Sequence, residues 1–243
     1  MRSTFTPELS EFERAAAGEV VYKFGFNTAV GTTEEGILSQ GGVFLYPAAA
    51  TTMTISSSAG ADDVGSTGAT SVQIYGLDAN YLEQTETLAM DGQTEVVTAE
   101  YIRVFRAIVR AAGSGETNAG TIHIGEGTVT AGVPATSYLQ IGIGDGQTLH
   151  TAYTIPANKT AYLTQLLMST GGNANTVVTG RMCIREFGEI FTVKDHFLFT
   201  RTAPINPIHR IPIKVPAKAD IEVRGTASTG TTDVSAAFGL VFL

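Results

Sequence analysis

Glu34 and Glu35 stand side by side in "NTAVGTTEEGI", residues 27–37 of the chain. Two carboxylates are the minimum equipment for glycoside hydrolysis, but that chemistry holds them roughly 5–9 Å apart on opposite sides of the scissile bond. Neighbours on a strand point to opposite faces and cannot flank one substrate. The chain also has no tryptophan to stack a sugar ring. The pair therefore predicts a surface turn that makes polar contacts with a neighbour, and no enzyme.

Other residues with chemical potential read the same way. "HIGEGT" (123–128) and "GIGDGQ" (142–147) have the glycines of a phosphate loop. Such a loop needs a helix after it, because the helix N-terminus holds the phosphate. Gly146 runs instead into "QTLHTAYTI", a strand pattern, so these glycines predict hairpins or a linker. His123, His150, His196 and His209 match no zinc spacing, and a site from distant strands stays open. "ADDVG" (61–65) and "DAN" (78–80) lack the calcium-loop pattern. No nucleophile elbow occurs. Cys183, the single cysteine, lies among apolar residues and reads as a buried small hydrophobe. No catalytic, cofactor or metal residue is predicted.

The elements that carry these residues are strands. From Val20 the apolar period is two: "VVYKFGF" sets Val20, Tyr22, Phe24 and Phe26 against Val21, Lys23 and Gly25. "TTMTISSS", "TSVQIYGLD", "YLEQTETLAM", "TEVVTAEYIRVFRAIVRAAG" and "AGTIHIGEG" come next, separated by Gly and Asp clusters. Short strands at regular spacing predict a sandwich or barrel. The pattern restarts after "TVTAGVPATSYLQIGIGDGQTLH", which places a boundary near Gly144. "TIPANKTAYL" (154–163) and "KVPAKADIEV" (214–223) are alike, and in an antiparallel sandwich they can meet at one end. Before Val20 lies the one helical pattern. Thr6 can cap it, Pro7 can open it, Gly18 can close it, and Leu9, Phe12 and Ala16 share a face. The expected architecture is all-β: a short N-terminal helical arm (1–19) and two tandem antiparallel β-sandwich, jelly-roll-like modules (20–143 and 144–243).

Composition narrows the partners. The net charge of −8 argues against nucleic acid, whose binders carry a basic face. Arg103, Arg106 and Arg110 form the densest basic group and read as a polar strand face with cross-strand ion pairs. No apolar run approaches a membrane span, no segment reads as a secretory signal, and no intrachain disulfide is possible with one cysteine. These point to a protein made in a reducing cytoplasm. Charged residues are only 16% of the chain, below the usual ~25%. A surface of Thr, Ser, Ala and Asn fits a protein whose faces are covered in an assembly.

The segments "KFGFNTAVGTTEEGI", "VQIYGLDANYLEQTETLAMDGQTEV", "YIRVFRAIVRAAGSGETNAGTIHI", "GDGQTLHTAYTIPANKTAYL" and "KADIEVRGTASTGTTDVSAAFGLVFL" together resemble a family of tailed-phage virion structural proteins common among marine podoviruses. The resemblance runs from Val21 to Leu243 and brings no catalytic motif. It implies a particle component, made in the host cytoplasm and resident in the virion. Within it the first expectation is capsid decoration: a homotrimer that binds the major capsid protein and stabilises the shell. Phe5, Leu9 and Phe12 of the arm, and Asn27, Thr32, Thr33, Glu34 and Glu35 of the loop, are the expected contact residues. The alternatives are a tail, neck or fibre-base component, or a carbohydrate-binding β-sandwich.

Overall fold

The computed structural model describes residues 19–172 and 176–242. Every regular element among them is a strand. The expected helical arm, with Phe5, Leu9 and Phe12, lies outside the described residues up to Gly18.

The strands are β1 (Val20–Val30), β2 (Glu35–Gly36), β3 (Thr51–Ser57), β4 (Ala69–Leu77), β5 (Glu83–Ala89), β6 (Val96–Tyr101), β7 (Arg103–Ala112), β8 (Ile122–Thr130) and β9 (Val133–Ile141). They continue as β10 (Ala152–Thr154), β11 (Ala161–Thr170), β12 (Val178–Arg185), β13 (Thr192–Phe199), β14 (Ile208–Val215), β15 (Asp220–Ala227) and β16 (Thr232–Phe242). All pairing is antiparallel.

The chain forms two compact units. One combines the chain up to Ile37 with Thr151–Leu243, and the other is Leu38–His150. The expected cut near Gly144 falls a few residues before the observed return at Thr151. The larger difference is at the start: β1 and β2 belong with the C-terminal half. The reason is pairing across almost the whole chain. β1 lies against β16, from Val20 opposite Val241 to Val30 opposite Thr232. Nothing local in a sequence marks a strand's distant partner.

The discontinuous unit is a sandwich of two sheets, β1-β16-β11-β14 and β10-β15-β12-β13, with β2 paired to β15. β2 meets β15 at Arg224 and Gly225, and β10 meets it at Asp220–Glu222. They are two halves of one interrupted strand. Counted so, the eight strands run 1-8-3-6 and 2-7-4-5. The inner faces keep the period of two: Val234, Ala236, Phe238, Leu240 and Phe242 on β16 face inward, as do Val178, Met182 and Ile184 on β12. Each such large apolar side chain contributes about 1.5–3 kcal/mol on burial. The sheets meet closely where Gly180 lies under Met168; a Cβ there would sit 2.4 Å from the Met168 sulfur. The two Pro-Ala turns do meet at one end, since Ile155 N–H donates to Ala219 O and Lys218 N–H donates to Ile155 O, both at 2.9 Å.

The inserted unit pairs β6-β3-β8-β9 in one sheet and β5-β4-β7 in the other. Its core joins Met53 and Ile55 of β3, Val72 and Ile74 of β4, and Ile122 and Ile124 of β8. The run "TEVVTAEYIRVFRAIVRAAG" reads as one strand but is two. At Ile102 it leaves the β3 sheet and joins β4, so β6 and β7 lie in different sheets.

Gly25 shows why one strand needs its glycine. It sits on the inner side of β1, where a Cβ would fall 2.4 Å from Ile37 O and 2.9 Å from Thr151 N. Those backbone atoms belong to the points where the chain leaves and re-enters this unit. Gly25→Ala is expected to cost about 1–3 kcal/mol through overpacking, read as a lower denaturation midpoint. Gly60→Ala, with nothing near its Cβ, should stay within about 0.5 kcal/mol of the parent.

Candidate assembly surface

The adjacent glutamates diverge. Glu34 is held on the outer face of the β12–β15 ladder, where Arg181 stands opposite Arg224. Arg181 Nη1 donates to its Oε2 at 2.6 Å and Arg224 Nη1 to its Oε1 at 3.1 Å. Arg224 Nε donates in turn to the buried Glu222 at 2.6 Å. Below it, Arg185 donates through two nitrogens to Asp220 Oδ2, and Thr154 donates to Asp220 Oδ1 at 2.6 Å. The Phe191 ring covers both guanidiniums, 4.5 Å from Arg185 and 4.7 Å from Arg224. Burial alone would lower the Arg224 pKa, but the neighbouring Glu222 and Glu34 carboxylates together hold the guanidinium above its ordinary value. The stack is alternating charge on neighbouring rungs, which opposes repulsion between the paired arginines.

Glu35 does something else. Its Oε1 accepts from Gly31 N–H at 2.9 Å and its Oε2 from Asn27 Nδ2 at 3.4 Å, so it closes the loop between β1 and β2. Asn27 is buried and also donates to Gly36 O at 3.1 Å. Of the loop residues expected to make contacts, Thr32 and Thr33 are the exposed ones.

The remaining sequence candidates resolve into structural roles. Asp62 of "ADDVG" is fully buried and receives Ser57 Oγ at 2.6 Å and the amides of Ala69, Ala119 and Gly120 at 2.7–2.8 Å. Four donors make it a loop tie, a role that no sequence pattern announced. Asp78 caps its own turn through the amides of Asn80 and Leu82. Gly144 and Gly146 have φ of 76° and 65°, in a turn pinned by Asn118, whose Nδ2 donates to Gly142 O at 2.7 Å. Two arginines of β7 donate to uncharged acceptors. Arg106 donates to Gln147 Oε1 at 3.0 Å, and Arg110 donates to Gln73 and Tyr75. Arg103 turns into the unit, donates to the Ile102 and Pro47 carbonyls and stacks on Tyr46 and Tyr81. Among the described residues no group of three or more His, Cys, Asp or Glu is placed to hold a metal ion.

A surface feature absent from the sequence expectations lies along the edge strands β13 and β14. They border the same open side of the sandwich, tied by His209 Nε2 and Asp195 Oδ2 at 2.8 Å. Leu198, Ile208 and Ile211 are 68%, 70% and 66% exposed there, beside Val193 and the loop residues Phe187 and Ile190. Exposed Lys194, Arg201, Arg210 and Lys214 interleave with them. Apolar side chains on open sheet edges are a liability unless something covers them. The period-two pattern could have flagged "IHRIPIKV", where isoleucines occupy positions of both parities.

No family model matches the chain, and no curated protein matches it. Among solved structures, that of the infectious bursal disease virus Gt strain aligns over 92% of this chain and 72% of its own, at 10% identity and a TM-score of 0.23. The VP2 subviral particle of infectious bursal disease virus aligns over 98% and 77%, at 10% identity and a TM-score of 0.22. Superpositions this loose do not assign a shared fold.

The ladder and the thiol beneath it each make a measurable difference. Glu34→Ala leaves two arginines facing each other across a rung and should cost about 1.5–3 kcal/mol, the range for hydrogen bonds to charged groups, with Glu34→Gln recovering part of it; urea unfolding measures both. Burial pushes the Cys183 thiol up to about 11 from its ordinary 9.0, with Arg224 pulling weakly the other way. The folded state thus keeps a proton that the unfolded chain gives up. This contribution is present below the unfolded thiol's pKa and is lost as pH rises from there to about 11. In the native protein at pH 8, Cys183 should resist a thiol reagent that modifies it readily in denaturant.

Proposed function

We propose that this chain is a non-enzymatic virion structural protein of a tailed phage, a capsid decoration protein that closes into a homotrimer and binds the major capsid protein. The observation that carries the reading is the β13–β14 edge, where large apolar side chains and the cations Lys194, Arg210 and Lys214 lie on open strands, with Arg201 in the connection between them. In a chain of net charge −8, that edge is complementary to the acidic remainder of another copy. A contact between two different surfaces generates a ring when the rotation closes.

Two further features support it. The order 1-8-3-6 over 2-7-4-5 is that of a jelly roll, an architecture used in capsid and lectin domains alike. Fold alone does not choose between them, and the resemblance along Val21–Leu243 favours the particle. The second sandwich is inserted into an interrupted strand, so it adds a module without opening the first. The mechanism is mass action: a protein that binds only the assembled shell shifts the equilibrium toward it.

Light scattering on a sizing column tests the reading. The expected mass is about three times 25.5 kDa, falling toward monomer at high salt, because exposed charge pairs are screened. Ile211→Glu on the edge should dissociate it, while Val97→Glu on an exposed strand of the inserted unit should not. A parent protein that is monomeric at all concentrations and salts, and that does not bind empty capsids, would contradict the proposal.

A further inference from the structure

The outer face of the β5-β4-β7 sheet, in the inserted unit, carries two arginines with no carboxylate partner among the described residues. Arg106 and Arg110 share that face of β7 by the period of two, with half-buried Ile108 between them. The register sets Tyr75 opposite Arg106 and Gln73 opposite Ile108. On the far side of β4, β5 places exposed Thr85 opposite Tyr75 and exposed Thr87 opposite Gln73. Arg110 donates through Nε to Gln73 Oε1 and through Nη2 to the Tyr75 hydroxyl, which itself donates to Gln73 Oε1 at 2.7 Å. That closed triangle occupies one edge of the guanidinium and leaves Nη1 with both of its hydrogens, at an exposed position. Arg106 donates through Nη2 alone, to Gln147 Oε1 at 3.0 Å.

In the other unit Arg181, Arg185 and Arg224 are each answered by a carboxylate. Here amide and hydroxyl oxygens fix the guanidiniums without cancelling their charge. Glu116, which lines the small cleft beside Arg110, takes neither of them. We propose that this face binds an anionic polysaccharide. The unoccupied N–H groups of each arginine take a carboxylate or sulfate of the sugar chain, the planar anions that a guanidinium fork matches. Four residues of strand span about 13 Å, so the two forks lie within reach of successive charges on one polymer. The Tyr75 ring, 5.9 Å from the Arg110 guanidinium, and the Thr85 and Thr87 hydroxyls face the sugars between them. Apart from Ile108 the row is polar, which suits a hydroxyl-rich polymer better than a protein surface, whose binding centres on buried aromatic and apolar anchors. Two cations are too few for nucleic acid, whose binders neutralise many phosphates. The inference is independent of the trimer and the capsid contact, which rest on the other unit.

Affinity electrophoresis of the full-length protein in gels containing polygalacturonate, dextran sulfate or uncharged dextran tests it. The expected result is retardation by at least one acidic polymer, weakening with salt, and none by dextran. Retardation by polygalacturonate alone assigns a carboxylate and by dextran sulfate alone a sulfate; either supports the proposal. Arg106→Gln combined with Arg110→Gln should weaken binding at least ten-fold, whereas Arg210→Gln, which removes a cation from the other unit, should leave it unchanged. Gln73→Glu keeps the acceptor oxygen but neutralises Arg110, so it should weaken binding several-fold while the thermal midpoint holds or rises; it serves if the double variant fails to fold. No retardation by either acidic polymer overturns the proposal, as does binding that Gln73→Glu leaves intact. A loss with Arg210→Gln equal to that of the double variant would mean general charge attraction and overturn the site. Tighter binding of single-stranded DNA than of either polymer would overturn the assignment to a sugar.

Discussion

The pairing of β1 with β16 is the constraint on which the rest depends. It joins the first described strand to the last and makes one sandwich from two distant parts of the chain. Closing that ladder buries the inner face of β1, where Gly25 lets Ile37 and Thr151 approach. It also turns Tyr22, Phe24 and Phe26 outward. Because side chains alternate, a strand that gives its small and polar residues to the inside must present its aromatics to the outside.

The same closure sets the place of the charged ladder. The chain leaves through β2 and returns through β10, both on one edge of β15. Glu34 sits at that departure and Asp220 at the return, and each is met by arginine. A buried or half-buried pair of this kind is weak evidence for net stability, but removing one partner leaves the other uncompensated. The network therefore fixes how the interrupted strand lies against β15, more than how strongly the whole unit folds. Glu34 and Glu35 answer to two different demands of one crossing, which is why they are adjacent without acting as a pair.

Much of this is legible in the sequence. The period-two runs mark nearly every strand, and the likeness of the two Pro-Ala turns is compatible with their meeting at one end, as they do. The apolar neighbours of Cys183 announce a buried small side chain. What stays hidden depends on distance along the chain. The partner of β1, the sheet change at Ile102 and the burial of Asp62 are each fixed by residues far away in sequence, and alternation says nothing about them. Alternation also does not say which face of "VVYKFGF" is the inside. The outward position of the aromatic row is set by the backbone crossing beneath Gly25. The open edge at β13 and β14 escapes notice because single exposed isoleucines are ordinary; it is their concentration on one side of the sandwich that marks a surface.

The central claim is that β13 and β14 are covered by another protein surface in the working assembly. Hydrogen–deuterium exchange on the assembled form, against the same protein dissociated by dilution or salt, tests it most directly. The account predicts strong new protection confined to the backbone of 192–199 and 208–215, because the outward amides of edge strands exchange freely until something pairs with or covers them. Protection that appears only in the inserted unit, or none at all, would contradict it.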